Sequence, residues 1–238
     1  MNTTDMSTLA GLRVAVTGGT SGLGLALVET LNAEGAMVAF VARHGHRVRE
    51  VAREHVGTHG IEGDVSRKDD TYPIAMQITA ALGGLDVLVN NASSLGPVPL
   101  ALLADTDCED LEAALATNVV GPFRLTKALL GALSESAREN RPALVINISS
   151  DAAVTPYAGW GAYGASKAAL LHMSKIWDEE LRPHGVRVRS LDPGDMDTPL
   201  HALAVPDADP TELKRPADAA RDVVELIEAV AQSAVATR

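Results

Sequence analysis

The sequence predicts an α/β fold: a doubly wound Rossmann-type parallel sheet, strand order 3-2-1-4-5-6, with helices on both faces. Three observations lead there. Six short apolar runs alternate with longer helical patterns along the 238 residues. A glycine-rich turn, T-G-G-T-S-G-L-G from Thr17 to Gly24, joins the first run to the first helix. The polar motifs also cluster after the C-terminal ends of the runs, where open α/β sheets bind their ligands.

The first run is Arg13 to Thr17, and a helical pattern follows from Leu23 to Glu34. Glycines in the intervening turn permit positive φ and close backbone approach, and the free amides at the helix start favour an anionic phosphate. Gly18, Thr20, Ser21, Gly22, Leu23 and Gly24 are therefore candidate cofactor contacts. Met37 to Val41 completes a βαβ unit. At its end, where an acidic residue would bind the ribose hydroxyls of NAD(H), stand Ala42 and Arg43. An arginine there suits a 2′-phosphate, so NADP(H) is favoured over NAD(H).

Thr58 to Glu62 reads as the third strand, with a helix from about Ser66 to Leu82; Asp64, beside Val65, is a ligand contact or the cap of that helix. Val87 to Asn90 is the fourth strand and runs into Asn91, Ala92 and Ser93. A long helix over 107–133 carries Asn118 in its middle, a poor helix former there unless it has a polar task. Ala143 to Ile148 is the fifth strand, and Val186 to Leu191 the sixth, followed by Pro193 and Gly194. Residues 195–215 read as a substrate flap, and a last helix spans about Pro216 to Val230.

Composition narrows the function. Apolar residues make up 46% and aromatics 3%, so the core is built from Ala, Val and Leu, as in helices packed on a parallel sheet. The net charge of −11, with no basic cluster, argues against nucleic acid or an anionic membrane as partner. A lone cysteine, Cys108, gives neither a disulfide nor a zinc set. His44, His46, His55 and His59 form no metal site by pattern, because Gly57 interrupts any helix aligning the last two. Residues 1–10 read as a polar tail, and no apolar run approaches ~20 residues, so a soluble cytoplasmic protein is expected. The length suits one domain over residues 1–238, binding the dinucleotide and performing the chemistry.

The stretch from Ser149 to Lys167 carries that chemistry. On a helix over 161–181, Tyr163 and Lys167 lie one turn apart on one face. A cation ~4 Å away lowers a phenol's pKa toward operating pH, where general acid–base catalysis works best. Ser149 and Ser150 end the fifth strand, and only one of them faces Tyr163.

Together these residues resemble the classical short-chain dehydrogenase/reductase family, from about residue 10 to 231. Thr17 to Gly24 is similar to its T-G-x-x-x-G-x-G turn, Asp64 to its adenine-contacting acid, and Asn90, Asn91, Ala92 to its N-N-A-G loop, with Ser93 replacing the glycine. The resemblance implies that Asn118, Ser150, Tyr163 and Lys167 are catalytic, Ser150 being chosen over Ser149 by its spacing from the tyrosine. Asn118 would anchor a water of a proton relay. Pro193, Gly194, Met196 and Thr198 are similar to the segment that meets the nicotinamide. Arg189 stands where the family has asparagine, and its usual seventh strand is missing after Val230.

The resemblance also implies hydride transfer between NADP(H) and a small-molecule carbonyl or secondary alcohol, by a homodimer or homotetramer joined through the helices over 107–133 and 161–181. A non-catalytic dinucleotide-binding redox sensor is the alternative. Leu95, Tyr157 and Trp160, with Met196, are candidate walls of an apolar pocket for a hydrophobic or aromatic ketone, although Trp160 suits packing equally well. Gly159, Trp160 and Tyr163 with Asp197, Thr198 and Pro199 resemble the sepiapterin and diketone reductase branch.

Overall fold

The structure, a computed structural model, describes residues 8–236. In chain order its elements are β1 (Arg13–Thr17), α1 (Gly22–Ala33), β2 (Met37–Ala42), α2 (Gly45–Glu54), β3 (His59–Glu62), α3 (Thr71–Leu82) and β4 (Val87–Asn90). Then come α4 (Cys108–Leu115), α5 (Gly121–Arg138), β5 (Leu144–Ile148), α6 (Gly161–Leu181), β6 (Arg187–Leu191), α7 (Pro199–Ala204) and α8 (Pro216–Ala236). The six strands form one parallel sheet in the order β3-β2-β1-β4-β5-β6, the predicted topology. Among the described residues no seventh strand joins it.

Parallel strands covered on both faces need continuous apolar runs. Accordingly every residue of β4 and of β5 is buried. On one face Val14, Val16, Val38 and Phe40 pack under α1, α2 and α8. On the other, Ala15, Ala39, Leu88 and Val145 pack under α3, α5 and the end of α6. Each fully buried Val or Leu contributes about 1.5–3 kcal/mol of transfer free energy.

Several boundaries differ from the sequence reading, each for a local reason. Of the expected polar tail, residues 1–7 lie outside the described residues, and Leu9 is fully buried in the face under α1 and α8. Asp64 does not cap α3: its Oδ1 accepts from Ser66 N (2.9 Å) and Ser66 Oγ (2.7 Å), a local turn that delays the helix to Thr71. The helix over 107–133 is three pieces, α4, a π-helical turn Ala116–Val120 and α5, which continues to Arg138. The expected flap contains α7 and is pinned by a bridge between Met196 and Lys214. Arg189 pairs with Asp178 of α6, at 2.8 Å from Nη1 to Oδ1, which gives this departure from the family a structural task.

Candidate active site

All six strands end on the same side, and the loops leaving them surround a cleft of about 800 Å³. The glycine turn forms its floor. Gly18 takes a positive φ of 72°, and a Cβ on Gly24 would lie 2.1 Å from the Gly18 carbonyl oxygen. Gly24 therefore makes room for the turn and does not itself line the cleft, whereas Gly18, Thr20, Ser21, Gly22 and Leu23 do. The Ser21 side chain does not cap α1, so the first-turn amides remain available to an anion.

Arg43 lines the mouth, is exposed, and makes no ion pair among the described residues. Its guanidinium is free to meet a phosphate. Asp64 and Val65 line the same end. Asn91 and Ala92 are fastened to β1, their amides both donating to Thr17 Oγ1 at 3.0 Å while Asn91 Nδ2 donates to Thr17 O at 2.9 Å. Pro193, Gly194, Met196 and Thr198 line the same cleft. Thr198 packs over Gly22, its Cγ2 being 3.0 Å from where a Cβ would stand there. An open glycine cradle, uncapped helix amides and an exposed cation fit the phosphates of a dinucleotide.

Tyr163, Ser150 and Lys167 line this cleft together. Ser150, and not Ser149, acts on the Tyr163 phenol, drawing its pKa down. Ser150 Oγ also donates to Asp151 Oδ1 at 3.0 Å and accepts from Ala152 N at 3.2 Å. Lys167 is 2% exposed, and its Nζ donates to the Ile148 carbonyl at 2.8 Å, 5.4 Å from the centre of the Tyr163 ring.

The expected lowering of the phenol pKa by this lysine is absent. Burial pushes Tyr163 up to about 12, with Ser150 and Ser93 pulling it down and the charges of Asp192 and Asp151 pushing it further up. Burial also lowers Lys167 to about 8, against a smaller raising effect of Asp192. The reason is desolvation: an estimate of charge on charge omits the cost of burying both groups.

Asn118 lies at the centre of the π-helical turn, is 1% exposed, and does not line the cleft. Its Oδ1 accepts from Ser94 N (2.8 Å) and Ser93 Oγ (3.3 Å), and its Nδ2 donates to Ser94 O (2.8 Å) and Ser166 Oγ (2.8 Å). Both acceptor sites and both donors are occupied, so this side chain ties the loop after β4 to α6 and has no capacity left for a water.

Near Tyr163, Leu95 is buried and Trp160 lies edge-on to the phenol ring with ring centres 5.7 Å apart, so Trp160 both packs and lines the cleft. Tyr157 is less apolar than expected, because its hydroxyl donates to Asp151 Oδ2 at 2.7 Å. Two residues carry more of the site than the sequence indicated. Asp151 holds both Ser150 and Tyr157, and its only signal was adjacency to Ser150. Ser93 donates to Asn118 Oδ1 and draws the Tyr163 pKa down, where the sequence showed only an atypical loop residue.

Comparison with known proteins agrees with this geometry. A family model described as short chain dehydrogenase matches residues 13–209. An uncharacterized short-chain type dehydrogenase/reductase of Sinorhizobium fredii is 34% identical over 83% of this chain, which spans only 35% of that protein. L-fucose dehydrogenase of Mus musculus is 34% identical, over 84% of this chain and 71% of its own. Among solved structures, a 3-ketoacyl-(acyl-carrier-protein) reductase of Brucella melitensis complexed with NADH superposes with a TM-score of 0.85 at 26% identity, covering 92% of this chain and 91% of that one. A short chain dehydrogenase of Shigella flexneri complexed with NADP gives a TM-score of 0.84 at 27% identity, covering 95% and 93%. With its sheet order, its cleft and a family match across most of its length, the chain belongs to the short-chain dehydrogenase family of oxidoreductases.

Proposed function

We propose that the chain moves hydride between NADP(H) and the carbonyl or secondary alcohol carbon of a small, partly hydroxylated substrate, with Tyr163 exchanging the proton. The observation that carries this reading is the meeting of Tyr163, Ser150 and Lys167 in the cleft that also contains the glycine turn. When bound, the nicotinamide supplies the hydride chemistry. Ser150 hydrogen-bonds the substrate oxygen, which requires its proton to turn away from Asp151. Tyr163 gives that oxygen a proton in reduction and takes one in oxidation. Lys167, whose pKa of about 8 leaves it mainly cationic at neutral pH, steadies the phenolate and the nicotinamide ribose. Asn118 positions the loop after β4 against α6, and a relay water would sit on main-chain atoms.

Apolar Leu95 and Trp160, lining the cleft together with Asp151 and Tyr157, suit a substrate with an apolar body and a hydroxyl beside the reacting carbon. The similarity to a protein named for L-fucose supports a hydroxylated substrate. Half-exposed Phe123 on α5 and Ile176 on α6 are where a homodimer or homotetramer would join.

The test is oxidation of NADPH and of NADH over ketones, diketones, quinones and sugars, by the wild type and Arg43→Ala. The wild type is expected to prefer NADPH, and Arg43→Ala to raise its KM roughly 10- to 100-fold while leaving NADH little changed. Equal effects on both would remove the phosphate assignment and favour NAD(H). Dinucleotide binding with no turnover of any compound would favour a redox sensor.

A further inference from the structure

We propose that Asp151 selects the substrate by holding the Ser150 proton until a hydroxyl on the carbon beside the reacting one takes its place, so that α-hydroxy ketones and vicinal diols are favoured over plain ketones and alcohols. This selection rests on the reading of Ser150 and Tyr163 as the groups that meet the reacting oxygen, and it adds which compounds can engage them.

Ser150 Oγ stands 3.0 Å from Asp151 Oδ1, and because an ionised carboxylate only accepts, the serine is the donor. The same serine oxygen accepts from Ala152 N at 3.2 Å, as the cap of the short helical turn Asp151–Ala153. A hydroxyl has one proton to give. Ser150 therefore serves either Asp151 or a substrate oxygen, and a plain ketone must break the first bond to make the second. It then sets carbon against a carboxylate oxygen that has lost its donor. The 3.0 Å between Ser150 Oγ and Asp151 Oδ1 is close to the spacing of two oxygens on neighbouring carbons. An α-hydroxy ketone with its carbonyl oxygen on Ser150 thus brings its own hydroxyl to Oδ1 and replaces the bond that Ser150 gives up.

The surroundings of Asp151 hold it to this task. The Tyr157 hydroxyl donates to Oδ2 at 2.7 Å, which secures the carboxylate by one oxygen and leaves the other to Ser150. That bond, more than any other interaction, also keeps the Asp151 carboxyl below the ordinary carboxylate range, with burial opposing it, so the group is a charged acceptor at neutral pH. Its hydrogen-bond donors are the neutral Tyr157, Ser150 and Ala152 N, and a neutral hydroxyl can replace one of them without breaking an ion pair. All three side chains, Ser150, Asp151 and Tyr157, line the cleft, where a substrate reaches them.

The test uses three ketones of one body. α-Hydroxyacetophenone carries the donor, α-methoxyacetophenone keeps its oxygen without the proton, and propiophenone has neither. In the wild type, kcat/KM for the hydroxy ketone is expected to exceed that for the methoxy ketone by about tenfold or more. Asp151→Ala should bring the two within about threefold of each other and raise the value for propiophenone, from which Ser150 is no longer withheld. Any effect of the variant on Tyr163 acts on both oxygenated ketones alike, so their ratio reports Asp151. If Asp151→Ala fails to bind NADPH, Tyr157→Phe replaces it and should lower the ratio about threefold. A ratio that the variant leaves unchanged would overturn the proposal, as would a propiophenone value that does not rise in Asp151→Ala. Binding of the same ketones to the NADPH complex of Tyr163→Phe, read by NADPH fluorescence with and without Asp151→Ala, repeats the comparison in the absence of turnover. Equal affinities for the hydroxy and methoxy ketones there would likewise overturn it. An Asp151-dependent preference in binding, beside a wild type that reduces none of the three, would sink the functional reading and leave the selection standing.

Discussion

Tyr163 is 8% exposed, and its burial sets the starting point for every charge around it. A phenol held near 12 stays protonated at neutral pH and its phenolate is scarce, so alcohol oxidation depends on whatever stabilises the phenolate. Asp151 works against that, because its charge raises the phenol and its Oδ1 draws the Ser150 proton away. Replacing Asp151 by Asn removes a charge that favours the protonated phenol, so the rate of alcohol oxidation should reach half its maximum at lower pH than in the wild type. A pH profile of kcat/KM checks this, and an unchanged or upward midpoint would contradict it. Tyr163 and Lys167 were legible from their helical spacing, and Ser150 from the family resemblance. The sequence could not reveal the sign of the pKa shift, since that depends first on burial in the folded chain and then on groups as distant in sequence as Ser93 and Asp192.

Elements reach their positions partly through ion pairs at the opposite end of the sheet from the cleft. Asp86, just before β4, is fully buried and takes hydrogen bonds from the Arg13 amide at 2.8 Å, the Arg13 guanidinium and Arg141. Burial raises its pKa, yet the bonds from Arg141 and Arg13 outweigh that and hold it at about 2. A carboxylate with a depressed folded pKa stabilises the protein fully above its unfolded pKa, and that contribution is lost as pH falls toward the folded value. Asp86→Ala should therefore cost about 1.5–3 kcal/mol at neutral pH by urea unfolding, since it removes the fully buried acceptor that Arg13 and Arg141 share, although Arg13 keeps Glu139 as a partner. The difference from wild type should narrow between about pH 4 and pH 2. A loss independent of pH would assign the effect to packing.

Helix existence was readable from apolar periodicity, but helix interiors were not. The π-helical turn at Ala116–Val120 follows from where Asn118 must reach Ser94 and Ser166, a tertiary demand with no local pattern. The displaced start of α3 has a similar origin, in the Asp64 to Ser66 turn.

Across the whole molecule, topology was the most legible feature, because buried parallel strands must be apolar on both faces and the polar motifs fall where those strands end. The cleft followed from it: of the candidate cofactor contacts, all but Gly24 line it. Less legible was the substrate end. There α7 closes a segment that read as a plain flap, and Tyr157 turns out to be tied to a carboxylate.

The account stands on the phenol of Tyr163 as the group that exchanges the substrate proton. Tyr163→Phe removes that oxygen while leaving the ring and its packing against Trp160. NADPH binding and carbonyl-dependent NADPH oxidation measured on this variant test the claim most directly. Binding within a few-fold of wild type, with turnover down by roughly 10²-fold or more, is the predicted result. Turnover retained at the wild-type rate would contradict it.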